Sequence, residues 1–380
     1  MLNSIQKGIE FFISEQEAGG AFASFSSPDP SSFTERNVQY HSTFALSMIL
    51  HSSKRLSEYD KRVENMRADL ASLLLKEKSL HCSFNYWQRD SEEYKRFPYP
   101  DDLDDTCSAL AALHSYNPDI IDGSLLAALS RLLITNEIQE GGPYRTWLVS
   151  SEIDRKHWDD LDLTVNINIA YFLSLCDIDL PNLSAFIDTH IASGIFNSTY
   201  YPGPYHVLYF LSRFYKGKHT SKLRAYLRRL YYNDLAKRHS LDNALLLSAM
   251  LNQHISTPET KLAAEGLKRS QLSDGSWPAF GFCLDPAIDG KIYYSGSRAL
   301  STVFCLEALC SYQSKIQRYT YPASKTQTVS NRSFSVRHRV LRKLSDQRAS
   351  LPEILRSPFD RVMNRIIQLD ASYPISSLPF

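Results

Sequence analysis

The sequence predicts an all-α protein built as a single (α/α)6 barrel, an α-toroid, with a basic helical extension at its C-terminal end. Three observations predict it. Apolar residues recur at three- and four-residue intervals almost throughout, with no sustained strand alternation. The helical segments fall into six pairs. In each pair the second segment is more apolar and richer in small residues than the first. A helix apolar on most sides lies between layers, and one with a charged stripe lies outside. Weakly repeating helical hairpins mark a repeat architecture, so the six inner and six outer helices suit a closed ring.

The pairs run in order along the chain. The first spans 4–16 and 42–53 across a Gly/Ser/Pro loop, and the second 60–77 and 105–116. The next are 123–135 with 163–176, 184–193 with 205–216, 220–237 with 241–253, and 257–270 with 299–313. The outer type is exemplified by Lys222-Leu223-Arg224-Ala225-Tyr226-Leu227, the inner type by Asn243-Ala244-Leu245-Leu246-Leu247-Ser248. Thr257 caps a helix with Pro258 at its first position, Pro181 closes the segment through Leu175, and Gly194 follows 184–193. In a closed ring all inner helices run one way, so their N-termini gather at one mouth. That places Glu35, His41, Asp102, Asp104, Asp105, Asp159, Asp160, Asp162, Tyr205, His206 and Asp242 together. The positive dipole ends there suit an anionic ligand.

The 380 residues are 43% apolar with 22 Tyr and 19 Phe, enough for a large core and an aromatic-lined cavity. A net charge of +1 gives the whole molecule no case for nucleic acid. Residues 315–380 depart from this balance, with 12 Lys and Arg against 4 Asp and Glu; residues 1–314 hold 30 against 37. We set a boundary there: 1–314 the toroid, 315–380 a Ser/Thr-rich linker and short basic helices at Arg337–Leu344 and Asp360–Leu369. These helices suit packing across the barrel or peripheral contact with an anionic membrane. The six cysteines form no C-x-x-C pair, which points to buried thiols rather than zinc or disulfides. With no signal-peptide pattern and no apolar run of 18 residues, the expectation is a soluble cytoplasmic protein.

Chemistry concentrates in Tyr99-Pro100-Asp101-Asp102-Leu103-Asp104-Asp105-Thr106, ahead of the apolar run Cys107–Leu113. Acids and Thr favour a helix start, because their oxygens accept free backbone N–H groups. Two would suffice as caps. Four crowded carboxylates repel, so some should have raised pKa values or share a cation.

Asp102-Leu103-Asp104-Asp105-Thr106 resembles the Asp-x-Asp-Asp motif of the class II terpene cyclase and squalene–hopene cyclase superfamily, which heads an inner helix of an α-toroid. Gln271-Leu272-Ser273-Asp274-Gly275-Ser276-Trp277 is similar to that superfamily's Gln…Gly-x-Trp repeat, and Gly19–Phe22 and Gly141–Tyr144 are weaker echoes of it. The resemblance covers about 1–314 and implies a terpene cyclase acting on a linear isoprenoid, a prenyl diphosphate being one such substrate. It makes Asp104 the general acid, flanked by Asp102 and Asp105. Protonating an alkene needs a neutral, desolvated carboxyl whose partners stabilise its conjugate base. Aromatic faces then shield the cation. Expected to face substrate are Trp87, Trp147, Trp158, Tyr205, Trp277, Tyr293 and Tyr294, with Phe84, Tyr86, Tyr200, Tyr201 and Phe280 as further candidates. Arg145 and Arg298 are candidates to hold a diphosphate. Typical members pair two toroids; this chain has length for one.

The same acids support other readings. Asp101, Asp102 and Asp105 fit the Asp-Asp-x-x-Asp pattern of class I terpene synthases, which holds Mg2+ on a diphosphate. Asp159 and Asp160, with Asn166 and Asn168 beyond, form a second cluster for such a metal. Asp104 and Asp160 also suit the paired carboxylates of a glycan-active (α/α)6 enzyme. A toroid that only binds lipid or scaffolds a partner is the non-catalytic alternative.

Overall fold

The computed structural model describes residues 1–320, excluding 35–36, 98, 150–157, 234–237 and 286–291, and no side chains of 317–320. Glu35, His157 and the two basic segments of the tail therefore lie outside the described residues.

Six inner helices form the ring: α2 (Thr43–Ser52), α5 (Leu103–Tyr116), α7 (Leu163–Leu175), α9 (Pro204–Ser212), α11 (Ser240–Asn252) and α13 (Arg298–Thr320). Each packs against the next, and α13 returns to α2, which closes the toroid. Around them lie α1 (Leu2–Ser14), α3 (Arg62–Glu77), α6 (Gly123–Asn136), α8 (Pro181–Ser193), α10 (Thr220–Asn233) and α12 (Pro258–Arg269). A short helix, α4 (Glu92–Arg96), rides on a mouth loop. Burial follows the pattern read from composition. Along α7 every residue from Leu163 to Leu173 is buried, whereas α10 buries only Leu223, Leu227, Leu230 and Tyr231. Pro181 opens α8 rather than closing α7, consistent with the place of proline in a first helical turn. The boundary expected at 314 falls inside α13.

One turn recurs after five outer helices. A residue with positive φ precedes a buried aromatic by two positions: Gly20 and Phe22, Cys82 and Phe84, Gly142 and Tyr144, Gly194 and Phe196, Gly275 and Trp277. The aromatic rings pack against outer helices, Phe22 on Phe12 of α1 at 5.1 Å and Phe196 on Tyr226 of α10 at 4.7 Å. Gly275 has φ +94°, and a Cβ there would collide with the Lys7 carbonyl, so this turn and α1 approach as only glycine allows. Beside it, Gln271 Nε2 donates to the carbonyls of Ser4 and Gly275, both at 2.8 Å, and Trp277 Nε1 donates to Leu267 O at 2.8 Å. The motif thus fastens the last outer helix to the first.

The sequence reading missed a four-stranded antiparallel sheet at the same seam. Its strands are β1 (Ser24–Ser27), β2 (Val38–Tyr40), β3 (Cys283–Asp285) and β4 (Tyr293–Gly296), in order β2-β1-β4-β3. Three- and four-residue strands are too short to show alternation. β1 pairs Ser26 with Ser295 of β4, joining the loop before α2 to the loop before α13. The sheet therefore bridges the first and last repeats at the mouth.

Candidate active site

The acid segment is extended backbone held on both sides. Asp102 N donates to Phe84 O, Leu103 N to Thr146 O at 2.8 Å, and Leu148 N to Asp101 O at 2.9 Å. Asp102 then caps α5, its Oδ1 accepting Asp105 N at 2.7 Å. Thr106 Oγ1 accepts Phe84 N at 3.0 Å and bonds back to Asp102 O. The start of α5 is thus fixed, and Asp102, Asp104 and Asp105 are all buried there.

The three carboxyls border one cavity of about 600 Å³ at the mouth, within the size of small-molecule sites. Its aromatic walls are Phe44, Tyr86, Tyr99, Trp147, Tyr200 and Tyr201. Beneath it Phe282 stacks on Phe304 at 4.7 Å and contacts Phe44 and Tyr201, so aromatic packing fills the barrel below.

Desolvation dominates the electrostatics. Burial pushes Asp104 up to about 6, opposed by hydrogen bonds from Asn168 and Tyr201. Asn168 Nδ2 donates to Asp104 Oδ1 at 2.6 Å, and the Tyr201 hydroxyl donates to Oδ2 at 2.7 Å. Asn168 is itself oriented: its Oδ1 accepts Arg213 Nη2 at 2.6 Å, and that guanidinium lies 3.9 Å from the centre of the Tyr171 ring. Burial carries Asp102 to about 7, and it carries Asp105 well above the ordinary carboxyl range, with the Asp102 charge adding to the shift. The two share a hydrogen bond, so Asp105 keeps its proton against Asp102. The site is therefore a hydrogen-bonded acid pair that holds a proton on Asp105, beside a third carboxyl whose conjugate base has two donors waiting.

The other expected residues divide. Trp147 lines the cavity, and its Nε1 donates to Tyr200 OH at 3.0 Å. Trp158 stands behind it, edge-on at 4.9 Å. Trp87 is buried against Tyr86 at 4.7 Å, Trp277 is a core brace, and Tyr205 is buried in the first turn of α9; none of these lines the cavity. Tyr293 and Tyr294 lie half-buried on β4, also outside the lining. Arg145 is engaged by Asp159, and Arg298 by Asp274.

The acids expected as metal ligands are likewise engaged. Asp101 is paired with Arg89 at 2.7 Å and accepts Asn85 Nδ2 at 3.2 Å. Asp160 accepts the hydroxyls of Thr146 and Tyr200, each at 2.7 Å. Asp162 caps α7 and accepts Thr199 N at 2.7 Å. Among the described residues no group of three or more His, Cys, Asp or Glu is arranged to hold a metal. His206 is buried against Phe282 at 5.1 Å, and burial holds it down to about 3; His41 meets Glu17 at 2.8 Å. The described cysteines form no disulfide, and no helix among the described residues is long and apolar enough to cross a membrane.

Sequence reasoning missed Arg213 and Asp285. Arg213 looks like any charged residue ending a helix, and Asp285 belongs to no motif. Only the packing of α7 against α9, and the sheet, bring them to the site.

No family model and no curated protein matches the sequence. Solved structures do resemble the model. The type II terpene cyclase MstE from Scytonema superposes with a TM-score of 0.59 at 12% identity, over 82% of this chain and 98% of that one. A variant of it in complex with geranylgeranyl dihydroxybenzoate, its substrate, gives 0.59 at 14% identity, over 81% and 96%. Cellobiose 2-epimerase from Bacillus thermoamylovorans B4167 gives 0.53 at 10% identity, over 81% and 98%. At such identities the likeness is one of fold, and this chain is a single α/α toroid of the kind seen in type II terpene cyclases.

Proposed function

We propose that this protein is a class II-like terpene cyclase whose general acid is Asp104. The observation that carries the reading is the desolvated carboxyl trio at the start of α5, opening into an aromatic cavity. A linear isoprenoid enters the cavity with a terminal alkene or epoxide near Asp104. The Asp104 O–H bond breaks and the proton passes to the alkene, whose π pair forms the new C–H bond and leaves a tertiary carbocation. Internal alkenes add to it in turn, and loss of a proton or capture of water ends the sequence. Asn168 and Tyr201 favour this step by stabilising the carboxylate left behind. The aromatic faces attract the cation without quenching it.

Two other readings are weaker. Mg2+-assisted ionisation needs Asp101 and Asp159 to release Arg89 and Arg145. Sugar chemistry has the epimerase likeness in its favour, but the walls are mainly aromatic and Asp160 is turned to Thr146 and Tyr200. Purified protein should be incubated with squalene, geranylgeraniol and geranylgeranyl diphosphate, with and without Mg2+. A cyclic isomer lost in Asp104→Asn supports the proposal. Metal-dependent release of diphosphate, or turnover of a disaccharide instead, overturns it.

A further inference from the structure

A fourth carboxyl borders the cavity, and the proton-transfer step does not use it. Asp285 closes β3, buried, and its Oδ1 accepts the hydroxyls of Tyr40 and, at 2.7 Å, Tyr86. The Tyr40 oxygen is in turn 2.6 Å from Ser295 Oγ. Three strands of the small sheet supply this cluster: β2 gives Tyr40, β4 gives Ser295 and β3 gives Asp285. Tyr86 comes from the loop before α4 and also lines the cavity. The sheet that bridges the seam thus also builds a polar station in an otherwise aromatic wall.

Two features say what that station takes. Asp285 Oδ2 is buried and accepts no hydrogen bond of good geometry, the Ser26 hydroxyl on β1 being the one further donor that bears on this carboxyl. A buried carboxylate oxygen left unpaired is costly, so it calls for a donor. The second feature is charge. The described residues lining the cavity include four Asp and no Lys, Arg or His. A diphosphate or carboxylate there would find no cation among them to offset its desolvation.

Resting on the terpene cyclase reading, we propose that Asp285 with Tyr86 is the headgroup site of the cavity, and that the substrate is an uncharged isoprenoid carrying a hydroxyl, as an alcohol or phenol, rather than a prenyl diphosphate. The hydroxyl donates to Asp285 Oδ2. That anchors the polar end and leaves the polyene to reach Asp104.

Binding of three probes tests this: geranylgeraniol, its methyl ether and geranylgeranyl diphosphate, followed by quenching of Trp147 and the other tryptophans. The ether keeps the chain and lacks the donor. Wild-type protein should bind the alcohol about tenfold or more tighter than either other probe, the worth of one charge-assisted hydrogen bond. Asp285→Asn replaces the free acceptor by an NH2 donor and should bring alcohol and ether within about twofold of each other. Tighter binding of the diphosphate than of the alcohol overturns the proposal, and this comparison needs no variant. So does an alcohol-to-ether ratio unchanged in a folded Asp285→Asn protein. If the alcohol is cyclised with no dependence on Asp285, the headgroup site fails and the cyclase reading stands. If none of the probes binds, the headgroup site fails, and squalene turnover by the wild-type protein decides the cyclase reading.

Discussion

Asn168 on α7 donates its amide to Asp104 on α5 across 2.6 Å, so one inner helix sets the acid strength of its neighbour. The contact stabilises the carboxylate, and Arg213 fixes which end of the amide faces it. Asn168→Ala should therefore raise the pKa of Asp104 and weaken it as an acid. The expected loss in kcat is about 10- to 100-fold, at or below the low end of what a general acid contributes, because the acid itself remains. The pH–rate profile should also move to higher pH, a shift that mere loss of packing would not produce. Arg213→Gln should show a smaller change in the same direction.

The reacting carboxyl must be protonated, and burial places Asp104 at about 6. We expect kcat to fall about tenfold for each pH unit above that value. A steady-state profile between pH 4.5 and 8.5 checks this, and a rate that rises through pH 7 contradicts it.

The same groups link stability to pH. Folded Asp102 and Asp104 hold protons up to about 7 and 6, whereas unfolded Asp releases them near ~3.9. The folded state thus binds more protons between about pH 4 and 7. Its contribution is full below about 4 and is lost as pH rises through 6 and 7. Buried His206 and His239, held down to about 3 and 4, act in the opposite direction. A comparison that leaves both histidines in place isolates the acids. Asp104→Asn should gain Tm relative to wild type as pH goes from 5 to 8, measured by calorimetry.

Closure of the ring depends on the seam. Trp277→Ala removes a fully buried indole and its bond to Leu267, at a cost of about 3–5 kcal/mol. Gln271→Ala should cost about 1–3 kcal/mol, because the Ser4 and Gly275 carbonyls lose their donor. Urea denaturation of both variants measures these losses.

Much of this architecture was legible in the sequence. Pairing, inner and outer roles and the acid-headed α5 follow from periodicity and composition, because burial of a whole helix surface leaves a strong apolar signature. The Gly275–Trp277 turn was legible through its likeness to the Gln…Gly-x-Trp repeat, but its counterpart at Cys82 was hidden, since a non-glycine residue occupies the left-handed position. Aromatic residues misled most. Trp277, Trp87 and Tyr205 share their chemistry with Trp147, and only the three-dimensional packing separates core from wall. The sheet and Asp285 were invisible because strands of three or four residues carry no period, and the β1–β4 pairing and the Tyr86–Asp285 contact join residues 199 or more apart in sequence.

The central claim is that Asp104 delivers a solvent-derived proton to carbon. The most direct measurement is mass spectrometry of the product formed in D2O from a polyene without an epoxide, such as geranylgeraniol, with Asp104→Asn run alongside. A cyclic product carrying one deuterium on carbon is expected, and at least about a thousandfold less of it from the variant. A cyclic product without deuterium, or turnover undiminished in Asp104→Asn, would contradict it.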